Sequence, residues 1–475
     1  MGQVHASSQT AMKAIIAFSL AFPAVTTLAQ NGTIDLTQPP NYANQSVPAY
    51  ISEDNTPGVN PVTDLGATLG RTLFYDKRLS RSDTIACASC HQQEHAFSDL
   101  VTASVGVAGT TGRHSTRLIN ARFAEEVRFF WDERAASLEA QTTQPIQDHV
   151  EMGFSGTNGD PGFSDLVAKL SPIREYQALF AIVYGDPTIT EARIQNAIAQ
   201  FVRSIQSFDS KYDQGRAVAA NNTANFPNFT TQENNGKRLF HLRRQDGGAN
   251  CATCHRAPEF DIDPDSDNNG VIGALSGGTD LTVTRSPSLR DLVKADGSSN
   301  GAFMHNASLA SLLDVVNHYN AIPTDNNNLD RRLRPGGQPQ NLNLTESEKN
   351  DLVAFMRTLT GVAVYTNPKW SNPFNENGEL TLIILPPDNT AVVYSGAGES
   401  RMATVSTSGV AGLEYACETS TDLRVWTSQS VPATAQGELS AAFASPASAP
   451  KQFFRFVYRV PELLLERTPN GENIL

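Results

Sequence analysis

Cys87-Ala88-Ser89-Cys90-His91 places two thiols three positions apart, with an imidazole directly after them. Covalent haem attachment requires that arrangement: the thiols add to the two vinyl groups and the histidine takes the proximal position on the iron. A second copy, Cys251-Ala252-Thr253-Cys254-His255, follows in a chain that has only 5 cysteines and 9 histidines. A disulfide or a zinc site competes for any close cysteine pair. Neither needs a histidine at the next position, so both pentapeptides are read as haem sites, with Cys87, Cys90, Cys251 and Cys254 holding the macrocycles and His91 and His255 on the irons.

Upstream of each pentapeptide stands Gly-x-x-Leu-Phe. Gly70-Arg71-Thr72-Leu73-Phe74 begins 17 residues before Cys87, and Gly236-Lys237-Arg238-Leu239-Phe240 begins 15 before Cys251. The repeated order implies two related helical haem domains. Between them, Thr188-Ile189-Thr190-Glu191 reads as a capping box. Ile194, Ile198, Phe201, Ile205 and Phe208 then recur at helical spacing and predict a core-facing stripe. Thr345 to Glu348 caps a comparable helix, with Leu352, Phe355, Met356 and Leu359 on its buried face.

Beyond Asn367 the pattern changes to short apolar runs, such as Leu380 to Leu385 and Phe453 to Tyr458, separated by Pro, Gly, Asn and Ser. This predicts a small β domain. Its segment from Tyr415 to Trp426 resembles a β module appended to many secreted bacterial proteins, and Cys417 within it reads as a buried thiol. At the other end, Lys13 precedes the apolar run Ala14 to Phe22, and Thr27-Leu28-Ala29 supplies small residues for cleavage. That is an export signal, too short and too interrupted by Pro23 to span a membrane.

The organisation expected is therefore a signal peptide at 1–29, an extended leader at 30–56, a first cytochrome c-like domain at 57–215, a second at 216–365 and a β domain at 367–475. The fold class is mainly α, two cytochrome c-like haem domains in tandem followed by a small all-β domain. A net charge of -13 excludes nucleic acid as a partner and suits a basic redox protein. With 40% hydrophobic and 18% charged residues the chain is ordinary globular protein, expected in the periplasm or secreted.

From about residue 57 to 362 the chain resembles the di-haem cytochrome c peroxidases and MauG-type proteins. The motifs that carry the likeness are the two pentapeptides, Phe130-Trp131-Asp132, Glu151-Met152-Gly153 and Phe303-Met304-His305-Asn306, in that order. The resemblance implies that hydrogen peroxide reacts at the first haem and that the second passes electrons to it. Gln141 lies ten residues after Trp131, and Glu151 ten beyond that, at the positions of the family's distal glutamine and glutamate. Cleaving an O–O bond to release water requires a proton to move between the two oxygens, and a carboxylate above an open site can carry it. Glu151 takes that role, Gln141 orients the peroxide, and Trp131 relays electrons between the haems.

Three departures from the family pattern matter. Relatives often carry a blocking histidine near position 106, where this chain has Ala103-Ser104-Val105-Gly106-Val107-Ala108-Gly109; an open first haem is expected, with His95 and His114 as the alternative blockers. His114 replaces an asparagine, and Ala302 a proline, that contribute to a calcium site between the haems, which puts calcium in doubt. Fourteen residues after His305 stands Tyr319, where classical peroxidases have methionine and MauG has tyrosine. Tyr319 is thus the sixth ligand expected on the second haem, with Met304 and His318 as competitors, and the chain leans to the MauG-like branch. The implied partners are hydrogen peroxide and either a small electron donor, a cytochrome c or a cupredoxin, or a protein substrate. A non-enzymatic di-haem electron carrier is the alternative.

Overall fold

The computed structural model describes residues 32–458 apart from 263, 265, 283, 286–287, 386–389, 447 and 449–450. The expected signal at 1–29 lies outside the described residues.

Two helical halves are built on one crossing. In the first, the helix Asp64–Tyr75 is capped by Thr63, whose hydroxyl accepts from the Gly66 amide at 3.0 Å, and packs against the helix Glu191–Ser204. The axes meet at Gly70, where a Cβ would sit 1.9 Å from the Ala197 carbonyl oxygen and 2.9 Å from the Phe201 Cβ. The second half repeats this with the helices Thr231–His241 and Glu346–Arg357. There a Cβ on Gly236 would fall 1.8 Å from the Asp351 carbonyl oxygen and 2.9 Å from the Phe355 Cβ. The Leu-Phe pair that follows each glycine is buried, and Phe74 meets Phe201 at 5.1 Å between ring centroids as Phe240 meets Phe355 at 5.2 Å. Burying four such aromatic rings contributes most of the local stabilisation, since each removes a large apolar area from water.

The expected stripes are buried, with shifted ends. Thr190, not Thr188, caps the helix Glu191–Ser204, its hydroxyl accepting from the Arg193 amide at 3.2 Å. Thr188 is occupied by a turn in which its amide donates to Asp186 at 2.9 Å. The helix stops at Ser204, so Ile205 is its buried C-cap and Phe208 lies beyond it. Thr345 and Glu348 form the reciprocal capping box as read.

The leader is clasped to the body. Strand Thr33–Asp35 runs parallel to Thr381–Ile383, so the apolar run at 380–385 pairs with the N-terminal segment and not with the later sheets. Ile34, Leu36 and Tyr42 join the first half's core, and the Tyr42 hydroxyl donates to the Lys369 carbonyl. Trp370 is buried in the same core and donates to the Ser204 carbonyl at 3.1 Å. Residues 367–384 therefore pack with the first half.

The C-terminal β region proper begins at Ala391. Strands Ala391–Ser395, Met402–Ser408 and Glu438–Ala444 form one antiparallel sheet, with Met402–Ser408 central. Glu414–Ser420, Thr427–Pro432 and Phe453–Val457 form another, with Glu414–Ser420 central. They share a small core of Val405, Tyr415, Cys417, Val431, Leu439 and Ala441. Alternation along Met402–Ser408 puts Ala403 and Val405 inside, as a period of two dictates. Among the described residues no helix is long and apolar enough to cross a membrane.

Candidate functional site: two cavities joined by a tryptophan

Each Cys-x-x-Cys-His stretch opens onto a cavity. Cys90 and His91 line the first, an open cleft, together with Trp131, Gln141, Glu151, Arg134 and Asp148. Cys251, Cys254 and His255 line the second, together with Met304, Tyr319 and Met356. All five cysteines carry free thiols. Burial pushes Cys87 and Cys251 up to about 12 and Cys90 to about 11, so they stand as neutral thiols.

Below the first cavity, Cys87–Cys90 is one helical turn, closed by the His91 amide donating to the Cys87 carbonyl at 3.0 Å. Ala96 and Phe97 then take left-handed conformations, at φ 56 and 57, a sparsely populated region for such side chains. The turn brings the Phe97 carbonyl within 3.0 Å of His91 Nδ1. With Nδ1–H donating there, the Nε2 lone pair is left for a metal.

On the distal side, Ser137 caps the short helix Leu138–Thr142 that carries Gln141. Glu151 sits on a turn organised by Asp148, whose carboxylate accepts from the Val150 amide at 2.8 Å and the Glu151 amide at 3.0 Å. Burial, reinforced by the Asp148 charge and opposed by Arg134, pushes the Glu151 carboxyl up to about 7. A carboxyl poised near neutrality can both take and return a proton.

Of the histidines weighed as blockers, His95 lies away from the cavity lining. His114 lines the cavity and is buried, with its Nδ1 2.9 Å from the Val101 carbonyl and its amide donating to the His305 carbonyl at 2.8 Å.

Trp131 lines both cavities. Its indole N–H donates to the His114 carbonyl at 2.6 Å, its own carbonyl accepts from the Arg285 amide at 2.7 Å, and its ring stands edge-on to His305 at 6.4 Å. Sequence reading missed Arg117 and Arg285, which also line both cavities. Arg117 Nε is buried with no hydrogen-bond partner among the described residues, and burial lowers the guanidinium to about 10. A carboxylate of the kind haem carries on its propionates would answer that charge. Arginine at no fixed spacing from either pentapeptide leaves no periodic signal, so only the fold reveals it.

In the second cavity the three competing ligands separate. Tyr319 and Met304 line it, whereas His318 turns away, its Nε2 2.9 Å from the Asn269 carbonyl. The Met304 sulfur accepts from the Asn269 amide at 3.4 Å. Burial, then the neighbouring Cys254, raises the Tyr319 phenol above its ordinary range. Met356 is a buried core residue that also reaches the cavity wall.

At the position where the family's calcium site would lie stands the His114 imidazole, a nitrogen group where calcium takes oxygen ligands. The haem donor sets do fit: the second cavity is lined by both thiols and His255, the first by Cys90 and His91 with Cys87 one helical turn before them, and cationic side chains line both walls.

Paired haem-binding motifs on a duplicated helical crossing define a di-haem protein, and comparison with known proteins places it. The family model described as di-haem cytochrome c peroxidase matches residues 65–221. The methylamine utilization protein MauG of Methylophilus methylotrophus is 32% identical over 328 residues, which cover 67% of this chain and 87% of that protein. Cytochrome c551 peroxidase of Nitrosomonas europaea is 26% identical, covering 68% of this chain and 84% of the relative. Among solved structures, a MauG-like protein associated with microbial copper homeostasis is similar at a TM-score of 0.55 and 28% identity, covering 70% of this chain and 99% of that one. The chain belongs to the di-haem cytochrome c peroxidase and MauG family and is a peroxidase-like oxidoreductase that uses haem.

Proposed function

We propose that this is an exported, periplasmic or secreted, MauG-like di-haem peroxidase built from two cytochrome c-like domains, with c-type haems attached through Cys87 and Cys90 and through Cys251 and Cys254. The haems supply redox chemistry toward hydrogen peroxide. Glu151 carries a proton between the two peroxide oxygens, Gln141 orients the oxidant, and Trp131 conducts electrons from the second haem. His91 and His255 would bind the two irons, and Tyr319 would supply a further ligand to the second. Electrons come from a small redox protein, a cytochrome c or cupredoxin, or from a protein substrate oxidised as in the MauG branch.

The observation that carries this reading is that Glu151, lifted to about 7, shares a cavity with His91 while Gly106 stands where a blocking histidine would be. An acceptor carboxylate with free space over the proximal histidine suits reaction in the oxidised state, without prior reduction. The test is to follow the haem spectrum of fully ferric protein as hydrogen peroxide is added. A rapid change is expected; a reaction that begins only after one-electron reduction would return the protein to the classical, reductively activated class.

A further inference from the structure

The segment from Ser104 to Thr111 folds into a tight hairpin of its own. Thr111 donates to the Ser104 carbonyl at 2.9 Å, Val105 bridges Thr110, and the Gly106 amide donates to the Gly109 carbonyl at 2.8 Å. The hairpin tip points at the turn that bears Glu151. The Val107 amide donates to the Glu151 carbonyl at 3.0 Å and the Ala108 amide to the Val150 carbonyl at 3.1 Å. Gly106 lies flat against that turn: a Cβ there would sit 2.1 Å from the Val150 carbonyl oxygen and 2.8 Å from the Glu151 Cα. Those are backbone atoms, so the contact cannot be relieved by rotating a side chain. The same turn is held from within by the Asp148 carboxylate and at its far end by the Arg81 amide, which donates to the Met152 carbonyl at 2.9 Å.

We propose that the hairpin Val105–Thr110 is a fixed clamp whose backbone positions Glu151 over the first cavity, and that Gly106 is required because only a residue without a side chain lets the hairpin seat. The proposal rests on the role given to Glu151 above. It assigns a positioning function to a stretch that carries no titratable group, and it makes the absence of a side chain at position 106 a condition for placing the carboxylate as well as for leaving the site open. Displacement by about 1 Å of a positioned proton carrier costs on the order of a hundredfold in rate, so a hairpin lifted by a methyl group is felt at the chemistry.

Two measurements on the haem-loaded full chain test it. In the wild type, hydrogen exchange followed by mass spectrometry should show the Val107 and Ala108 amides protected; exchange at the rate of an open loop would overturn the clamp. The variant Gly106→Ala should keep both haems and its ferric spectrum, lose that protection and react with peroxide at least about tenfold more slowly. Its pH midpoint should also fall, because the carboxyl gains water when the turn loosens. Asp148 and Arg134 beside Glu151, the thiols Cys87 and Cys90, and His91, Arg113, His114, Arg117, Asp132, Asp261, Asp280 and Arg285 on the same cavity wall are the other charged or titratable groups around it, and the substitution touches none of them. A variant with wild-type rate and midpoint would refute the proposal. If the wild type itself fails to react, the functional reading falls while the exchange result still decides the clamp.

Discussion

The two halves share a scaffold and differ in what they aim into it. Gly70 and Gly236 make the same helix crossing, and the Phe74–Phe201 and Phe240–Phe355 contacts are nearly superposable in distance. Around the histidines the likeness ends. His91 Nδ1 is tied to the Phe97 carbonyl at 3.0 Å, whereas His255 Nδ1 is buried with no partner among the described residues. A donor tied to a carbonyl is oriented and more basic, which strengthens a proximal ligand. The first cavity is lined by Gln141 on a short helix and Glu151 on a polar turn; the second by Met304 and Tyr319 amid leucine and valine. On the proposed reading one fold offers a site to move a proton and a site to hold electrons, and the difference lies in the side chains that reach each cavity, Gln141 and Tyr319 from short helices and Glu151 and Met304 from turns.

The sharpest way to break this contrast is at Glu151. Glu151→Gln keeps the shape and removes the base, so the peroxide reaction of ferric protein should slow by about 10² to 10⁴ in stopped-flow measurements. The wild-type rate should rise with pH through about 7, because the carboxylate and not the acid accepts the proton. The inflection should vanish in the variant. An unchanged rate would make the two cavities chemically equivalent on their distal sides.

Tyr319 tests the other half. A phenolate ligand stabilises ferric iron, so Tyr319→Met should shift the potential of the second haem to more positive values in a spectroelectrochemical titration and leave the first haem's potential in place. If neither potential moves, the second iron takes its ligand elsewhere, and Met304 is the residue in place to provide it.

What the two halves share was legible in the sequence, because a repeated Gly-x-x-Leu-Phe and a repeated pentapeptide survive in the order of residues. The glycine's purpose was not, since the carbonyls it approaches belong to Ala197 and Asp351, more than a hundred residues away in sequence. The candidate site was legible where spacing encodes it: Trp131, Gln141 and Glu151 do line one cavity. It was illegible where the fold alone brings parts together, as with Arg117, Arg285 and the hairpin at Gly106. The leader was misjudged in character for a related reason. Its polar composition hides three buried side chains, Ile34, Leu36 and Tyr42, whose partners lie far along the chain, in strand Thr381–Ile383, at Lys369 and at Phe201.

The shared frame makes a smaller prediction. Gly70→Ala and Gly236→Ala each push a methyl into a backbone carbonyl, and overpacking of this kind costs about 1 to 3 kcal/mol. Calorimetry on the haem-loaded protein should show the two variants destabilised alike. A marked inequality would mean that the halves are alike in geometry but not in how much their stability depends on the crossing.

The smallest expected effect concerns the junction between the halves. Arg113 spans it, reaching Asp132 of the first half at 2.7 Å and Asp280 of the second at 2.8 Å, and His114 ties its amide to His305 and its carbonyl to Trp131. These contacts already connect the cavities through protein groups, with an imidazole where an oxygen ligand would be needed for calcium. Exhaustive treatment with EGTA should therefore leave the ferric spectrum and the peroxide reaction unchanged, and elemental analysis should find iron without stoichiometric calcium. Loss of reactivity that calcium alone restores would show that the halves are joined by an ion after all, and that the His114 contacts are secondary to it.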